Sequence, residues 1–349
     1  HELGFMKQIF NKDQIEDSQR FLIFRPFTFV LENGENLHLQ ARKGQSKQDH
    51  SAIFSLFLVA KYFRTNSGTI DTLLKFTTQD LMNRYKRLIR EIENLCIRGL
   101  EDFVEHIKSD QDKVVPRDGT VHQITSNALI FLEQLLEFRE SLTMILSTDP
   151  SSANLAVPKY YARVLSALGL SLRNKSELYS DATLKALFML NNYNHILKSL
   201  QKSGGLRVVS EQNKEVGGYY EQQIKEHKTQ YFQCWSRLLS FIAEQRPGYS
   251  PSLTADRLRD KDRQLVKDAF AGFNKDFEEI VKNHRGYSVP DYELAQALIR
   301  ENKDLVYPKY QAFYNLWAKT PFTKNVEKYV RHSPQDVLAS LENLFGRRT

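Results

Sequence analysis

The sequence predicts an all-α protein, an elongated rod of consecutively stacked helical bundles. Three observations lead there. Apolar residues recur at spacings of three and four through most of the chain, the period of a helix face. Glycine (15) and proline (10), which interrupt helices, are scarce among 349 residues. No segment sustains the period of two that marks a half-buried strand. A chain of this length exceeds one comfortable hydrophobic core. We therefore expect three packed units, over residues 1–115, 116–250 and 251–349.

The first sixty positions carry the weakest pattern, although Phe21 to Leu31 and Ile53 to Phe63 are apolar enough for short helices. From Ile70 the stripe is continuous through Leu74, Leu81, Tyr85, Leu88, Ile92, Leu95, Phe103 and Ile107. It predicts one helix on the order of 55 Å long at 1.5 Å per residue. Pro116, Asp118 and Gly119 break it as turn residues. Thr120, three positions before Gln123, has the spacing of a capping box. The next stripe runs from Ile124 through Phe131, Leu135 and Phe138 to Ile145, and the polar stretch Ser147 to Asn154 ends it.

Tyr161, Val164, Leu165, Leu168 and Leu172 mark a further helix, and Ser180 is expected to begin another, with Leu184, Leu187, Phe188, Ile196 and Leu197. After a loop at Lys202 to Gly205, the residues Val216, Tyr220, Ile224, Tyr231, Leu238 and Ile242 predict one long helix. Pro247 to Pro251 has the composition of a linker. Leu258, Leu265, Ala269, Phe273, Phe277 and Ile280 follow on a helical period. Ser288 to Asp291 then starts a helix, with Pro290 expected at an early helical position. Pro308 is expected to end or kink it. Ser333, Pro334 and Asp336 form another start signal, Leu338, Leu341, Leu344 and Phe345 the last stripe, and Gly346 a C-terminal cap.

Reactive chemistry is not what this sequence advertises. It has no glycine-rich phosphate loop, no H-E-x-x-H, no G-x-S-x-G and no paired C-x-x-C. Its two cysteines, Cys96 and Cys234, sit among apolar residues, as small buried hydrophobes do, and fit a reducing compartment. His122, His195 and His227 are expected to be hydrogen-bonded structural histidines. We expect no enzyme, no metal and no cofactor. The run Asn191-Asn192-Tyr193-Asn194 is unusual for a helix. It fits either buried amides bonded to neighbouring backbone or a partner-docking patch. The longest apolar run, Ala52 to Ala60, is too short to span a bilayer. The start at His1, without an initiator Met, is expected of a fragment.

The net charge of +7 permits contact with nucleic acid, an anionic membrane or an acidic partner. Two basic segments differ in kind. Arg257, Arg259, Lys261, Arg263 and Lys267 alternate with Asp256, Asp260 and Asp262, which predicts helical ion pairs on a solvated face. Lys324, Lys328 and Arg331 lie at i, i+4 and i+7, within about 60° of one another on a helix, and only Glu327 offsets them locally. Val326, Tyr329 and Val330 are expected on the opposite, docking side. Lys319 lies upstream, and Arg347 and Arg348 near the end of the chain. Such a cluster suits either ordinary solvation or phosphate head groups.

Four strings carry a resemblance to a known family. They are Pro116-Arg-Asp-Gly-Thr-Val-His122 with Thr125-Ser126-Asn127, then Asn191 through Leu200, then Leu258 through Arg263 with Gly272-Phe-Asn274, and Pro321-Phe-Thr-Lys-Asn325 with Glu327-Lys-Tyr329. Together they resemble exocyst complex component 7, the family of seventy-kilodalton exocyst subunits. The likeness runs from about Cys96 to the end and is gapped before Ile70; the family's N-terminal coiled region is not matched. The resemblance implies a rod of helical bundles and a tethering subunit that docks secretory vesicles at the plasma membrane. It implies a cytoplasmic protein, peripheral at the inner face of that membrane. Its implied partners are other exocyst subunits, anionic phosphoinositides and a Rho-family GTPase, with no nucleic acid expected. Phosphatidylinositol 4,5-bisphosphate would be held by Lys324, Lys328 and Arg331, with Lys319 beside them. Arg331 stands where the family often has Lys, and keeps the charge while adding a bidentate fork. Val326 stands where relatives often carry Pro, and Pro308 where they continue a helix. A helical nucleic-acid binder and a GTPase-regulating scaffold are the alternatives.

Overall fold

The structure, a computed structural model, describes residues 25, 27–40, 43, 52–74, 78–109, 114–147, 150–243 and 260–345. Among these the regular structure is helical and no strand occurs, as the apolar spacing predicts. The chain forms two compact units whose segments interleave. One comprises His1–Asp110, Ile130–Leu168 and Arg207–Lys214; the other comprises Gln111–Leu129, Gly169–Leu206 and Glu215–Thr349.

The first unit holds helix α1 (27–40), α2 (Ala52–Thr65), α3 (Ser67–Leu74) and α4 (Gln79–Lys108). The single helix expected from Ile70 to Ile107 is two helices. Thr78 restarts the chain as an N-cap, its hydroxyl accepting from the Leu81 amide, so α4 begins at Gln79. The apolar stripe does what its spacing predicts: Leu81, Tyr85, Leu88, Ile92, Leu95, Leu100, Phe103 and Ile107 are all buried. α1 lies close on it, since a Cβ at Gly34 would sit 2.8 Å from Leu88 Cδ2. The Glu35 carboxylate accepts from both Arg84 Nε (2.7 Å) and Nη2 (2.6 Å).

Helix α5 (Gln123–Leu136) crosses from one unit to the other, and α6 (Arg139–Leu146) follows after a break at Glu137 and Phe138. In the first unit Phe131 stacks on Phe103 at 3.8 Å between centroids. α7 (Ala156–Ser176), preceded by a 3₁₀ turn at Pro150–Leu155, brings Tyr160 and Tyr161, whose hydroxyls donate to the Leu100 and Leu132 carbonyls. Cys96 is fully buried, and burial pushes its thiol up to about 12, as expected of a structural residue.

The second unit is built on α8 (Ala182–Ser203), α10 (Val216–Phe232), α11 (Ser236–Ile242), α12 (Asp260–His284), α13 (Tyr292–Trp317), α14 (Val326–Tyr329) and α15 (Pro334–Glu342). The short α9 (Gly205–Ser210) straddles the boundary. The long helix expected from Val216 to Ile242 is interrupted by a 3₁₀ turn at Gln233–Trp235, which turns Trp235 inward. The core joins Trp235, Leu238, Phe270, Phe273, Phe277, Tyr310, Phe313, Val337 and Leu341. Burying each such aliphatic or aromatic side chain stabilises the fold by roughly 1.5–3 kcal/mol. Inside it the Asn302 amide donates to Tyr231 Oη and the Leu298 carbonyl, and accepts from Trp235 Nε1.

Several start signals lie elsewhere than expected. Asp181, not Ser180, caps α8. Asp291 caps α13, so Pro290 precedes the cap. α13 continues through Pro308, whose side chain is exposed. The Ser333–Asp336 capping box with Pro334 opens α15 as expected. Pro247 to Pro251, Arg257, Arg259, Leu258 and Gly346 lie outside the described residues. Asp260 and Arg263 do pair, at 3.5 Å.

Candidate functional site

Two features that the sequence singles out lie in the second unit. The first is the asparagine run on α8. Asn192 is fully buried; its Oδ1 accepts from the His122 amide (3.0 Å) and the Thr125 hydroxyl (2.7 Å), and its Nδ2 donates to the Phe188 carbonyl. Asn191 donates to the carbonyls of Gly119 (2.7 Å) and Ser288 (2.9 Å). Lys198, two turns further along the same face as Asn191, binds Asp291 at 2.8 Å and Glu293 at 2.5 Å, which raises its pKa.

This run is therefore a clasp that holds residues 114–125 and the start of α13. A docking patch would need exposure that Asn191 and Asn192 lack. Gly119 sits in the left-handed region at φ 71°, against Leu184. The capping box expected at Thr120 is absent, because α5 starts at Gln123. His122 stands before it and accepts from the Ile124 amide through Nδ1, which leaves Nε2–H to donate to the Val114 carbonyl. His122 is thus structural. His227 stacks on buried Tyr193 at 5.5 Å, and burial lowers the pKa of both His227 and His195.

The second feature is the cationic stretch between α13 and α15. Lys319, Lys324, Lys328 and Arg331 are all exposed. Their helical-face arrangement is not found. α14 is a single turn, Val326–Tyr329, so Lys324 precedes its cap Asn325 and Arg331 follows Val330. The physical reason is capture of the backbone from outside. The Asn274 amide on α12 donates to the Tyr329 carbonyl at 2.7 Å, and the Tyr310 hydroxyl on α13 donates to the His332 carbonyl at 2.6 Å. Burial raises the Tyr310 pKa far above its usual value, so it stays a donor.

The stretch is seated by Phe322, 1% exposed, which stacks on Phe270 and meets the edge of Tyr329. Tyr329 and Val330 pack on the core as expected, but Val326 is 38% exposed and belongs to the outer surface. Lys328 Nζ lies 5.7 Å from the Tyr329 ring centroid, within cation–π range. Among the described residues Lys319, Lys324 and Lys328 have no ion-pair partner. Arg331 does: its Nη2 is 3.1 Å from Glu278 Oε1, which also takes His332 Nε2 at 3.0 Å.

Glu278 and His332 escaped the sequence reading, and Asn274 entered it only as part of a resembling string, without a role. The available signal was polar residues at i, i+4 inside the apolar stripe of Phe270, Phe273 and Phe277. Arg347 and Arg348 lie outside the described residues. No helix among the described residues is long and apolar enough to cross a membrane. No cluster of His, Cys, Asp or Glu among them could hold a metal ion.

Comparison with known proteins adds the following. The family model for the C-terminal part of the Exo70 exocyst protein matches residues 2–343. The chain is 34% identical over 329 residues to exocyst complex component 7 of Homo sapiens, covering 90% of this chain and 44% of that protein. It is 30% identical over 354 residues to the Drosophila melanogaster protein of the same name, covering 93% and 50%. The chain thus spans about half the length of the curated relatives it matches. A structure of S. cerevisiae Exo70 at 14% identity has a TM-score of 0.53, over 95% of this chain and 70% of that one. Another, of Exo70p described together with the Exo84p C-terminal domains, matches at TM-score 0.53 and 15% identity over 98% and 72%.

Proposed function

Since the chain belongs to the Exo70 exocyst family, we propose that it serves as a non-catalytic tethering subunit. In that role it helps dock secretory vesicles at the plasma membrane through other exocyst subunits. It is a cytoplasmic protein that attaches peripherally to the inner face of that membrane, and it engages a Rho-family GTPase through a surface not yet assigned. Lys319, Lys324, Lys328 and Arg331 are its contacts to phosphatidylinositol 4,5-bisphosphate. One observation carries the lipid contact: three exposed lysines without a carboxylate partner stand on a stretch whose backbone is pinned to the core.

Near an anionic leaflet each such cation contributes roughly 1 kcal/mol. Four give about 4 kcal/mol, which alone is a millimolar attachment. Hydrogen bonds to phosphate and the many contacts of a larger assembly supply the remainder. The attraction falls with salt because the cations are exposed. The test is flotation with vesicles containing the bisphosphate lipid. Lys324→Ala with Lys328→Ala should weaken binding by about 30-fold, the equivalent of about 2 kcal/mol. Unchanged binding would reject the site.

A further inference from the structure

The exposed cations of the stretch are not equivalent. Among the described residues Lys319, Lys324 and Lys328 have no carboxylate partner, while Arg331 is held by Glu278 across fifty-odd positions of sequence. Glu278 lies one helical turn beyond Asn274 on α12, so the residue that pins the Tyr329 carbonyl and the residue that holds Arg331 share one face. The contact is open to water, with Arg331 52% and Glu278 37% exposed. A pair of that kind is weak and exchangeable. It uses one nitrogen of a guanidinium that carries five N–H donors. Asp336, five positions on, is taken by the Ser333 amide and hydroxyl in the capping box.

Resting on the phosphoinositide reading above, we infer that Glu278 is a built-in competitor for Arg331 and thereby a determinant of lipid specificity. An incoming lipid must displace a carboxylate of charge −1. A phosphatidylserine headgroup brings no more net negative charge than it removes, so the exchange gains little. A phosphomonoester brings a charge of about −1.5 to −2 and three acceptor oxygens, enough to take the guanidinium from Glu278. Glu278 therefore suppresses attachment to generally anionic surfaces and spares attachment to the doubly phosphorylated headgroup. His332 shares Glu278 Oε1 and helps keep the carboxylate in place while Arg331 is away.

The experiment compares sedimentation with phosphatidylcholine vesicles carrying either phosphatidylserine or phosphatidylinositol 4,5-bisphosphate. Soluble inositol 1,4,5-trisphosphate serves as a third probe, to separate headgroup from surface. Glu278→Gln keeps an acceptor and removes the charge; Glu278→Ala is the second variant, and unchanged circular dichroism establishes that each is folded. Glu278→Gln should tighten binding to phosphatidylserine vesicles about fivefold, the effect of one charge, and binding to bisphosphate vesicles by less. The gain should vanish in an Arg331→Ala background. No gain on phosphatidylserine, or an equal gain on both vesicles, overturns the inference; if Lys324→Ala with Lys328→Ala still weakens binding, the lipid reading itself stands. Wild-type protein that binds no anionic vesicle overturns both.

Discussion

The second unit uses one device twice, with opposite results. On α8, Asn191 and Asn192 reach out of a helix and take the backbone of residues 119–122 and Ser288. On α12, Asn274 does the same to the carbonyl of Tyr329. In the first case the held loop turns its own side chains inward, and Thr125 and His122 complete a buried hydrogen-bonded joint. In the second case the held loop turns its cations outward and leaves three lysines with no carboxylate partner among the described residues. A buried amide fixes a backbone; whether the result is a joint or a surface depends on the side chains the fixed loop carries.

The contrast breaks most sharply at Asn192. Asn192→Ala strands the buried His122 amide and Thr125 hydroxyl, and should lower the unfolding free energy by about 3 kcal/mol, read by urea denaturation. Vesicle affinity per folded molecule should not change. A loss below about 1 kcal/mol would mean that the joint is not a joint.

Next comes the acid side of the interior. His284 is 1% exposed among Tyr231, Trp235, Tyr287 and Phe345, and burial pushes it from 6.5 down to about 4. The unfolded chain then binds the extra proton between those values, so the folded state loses stability as pH falls. The contribution is complete above pH 6.5 and is lost by about pH 4, amounting to about 3 kcal/mol. His284→Phe should flatten that slope in urea midpoints measured between pH 7.5 and 4.5. An unaltered slope would place the acid sensitivity elsewhere.

The surface side is tested by the double lysine variant, which should lose about 2 kcal/mol of vesicle binding with stability changed by less than about 0.5 kcal/mol. Asn274→Ala joins the two regions and carries the smallest expected effect. It should cost about 1 kcal/mol of stability and weaken vesicle binding by less than the double lysine variant. Loss of stability with no loss of binding would show that pinning Tyr329 is irrelevant to how the cations are presented.

How much of this was legible beforehand depended on the range of the interactions. The stripe of α4 and the capping box of α15 rest on residues a few positions apart, and both appear where their spacing puts them. The start of α4 after its cap Thr78 and the 3₁₀ turn at Gln233–Trp235 were missed, because an apolar period can persist across a short break. The cations of the candidate site were visible as charges. Their shared helix face was not real, because Asn274 and Tyr310, distant in sequence, take the carbonyls around α14.

Composition and periodicity determined that this chain is helical, that its aromatic stripes are buried and that a cationic stretch lies near its end. Each of those follows from local sterics and from the exclusion of apolar side chains from water. Tertiary structure alone decided that the asparagine run is a clasp, that α14 is one turn and that Arg331 is matched to Glu278. Those outcomes depend on hydrogen bonds and ion pairs between residues 22 to 97 positions apart, and nothing in local spacing specifies which distant group will be there to accept or donate.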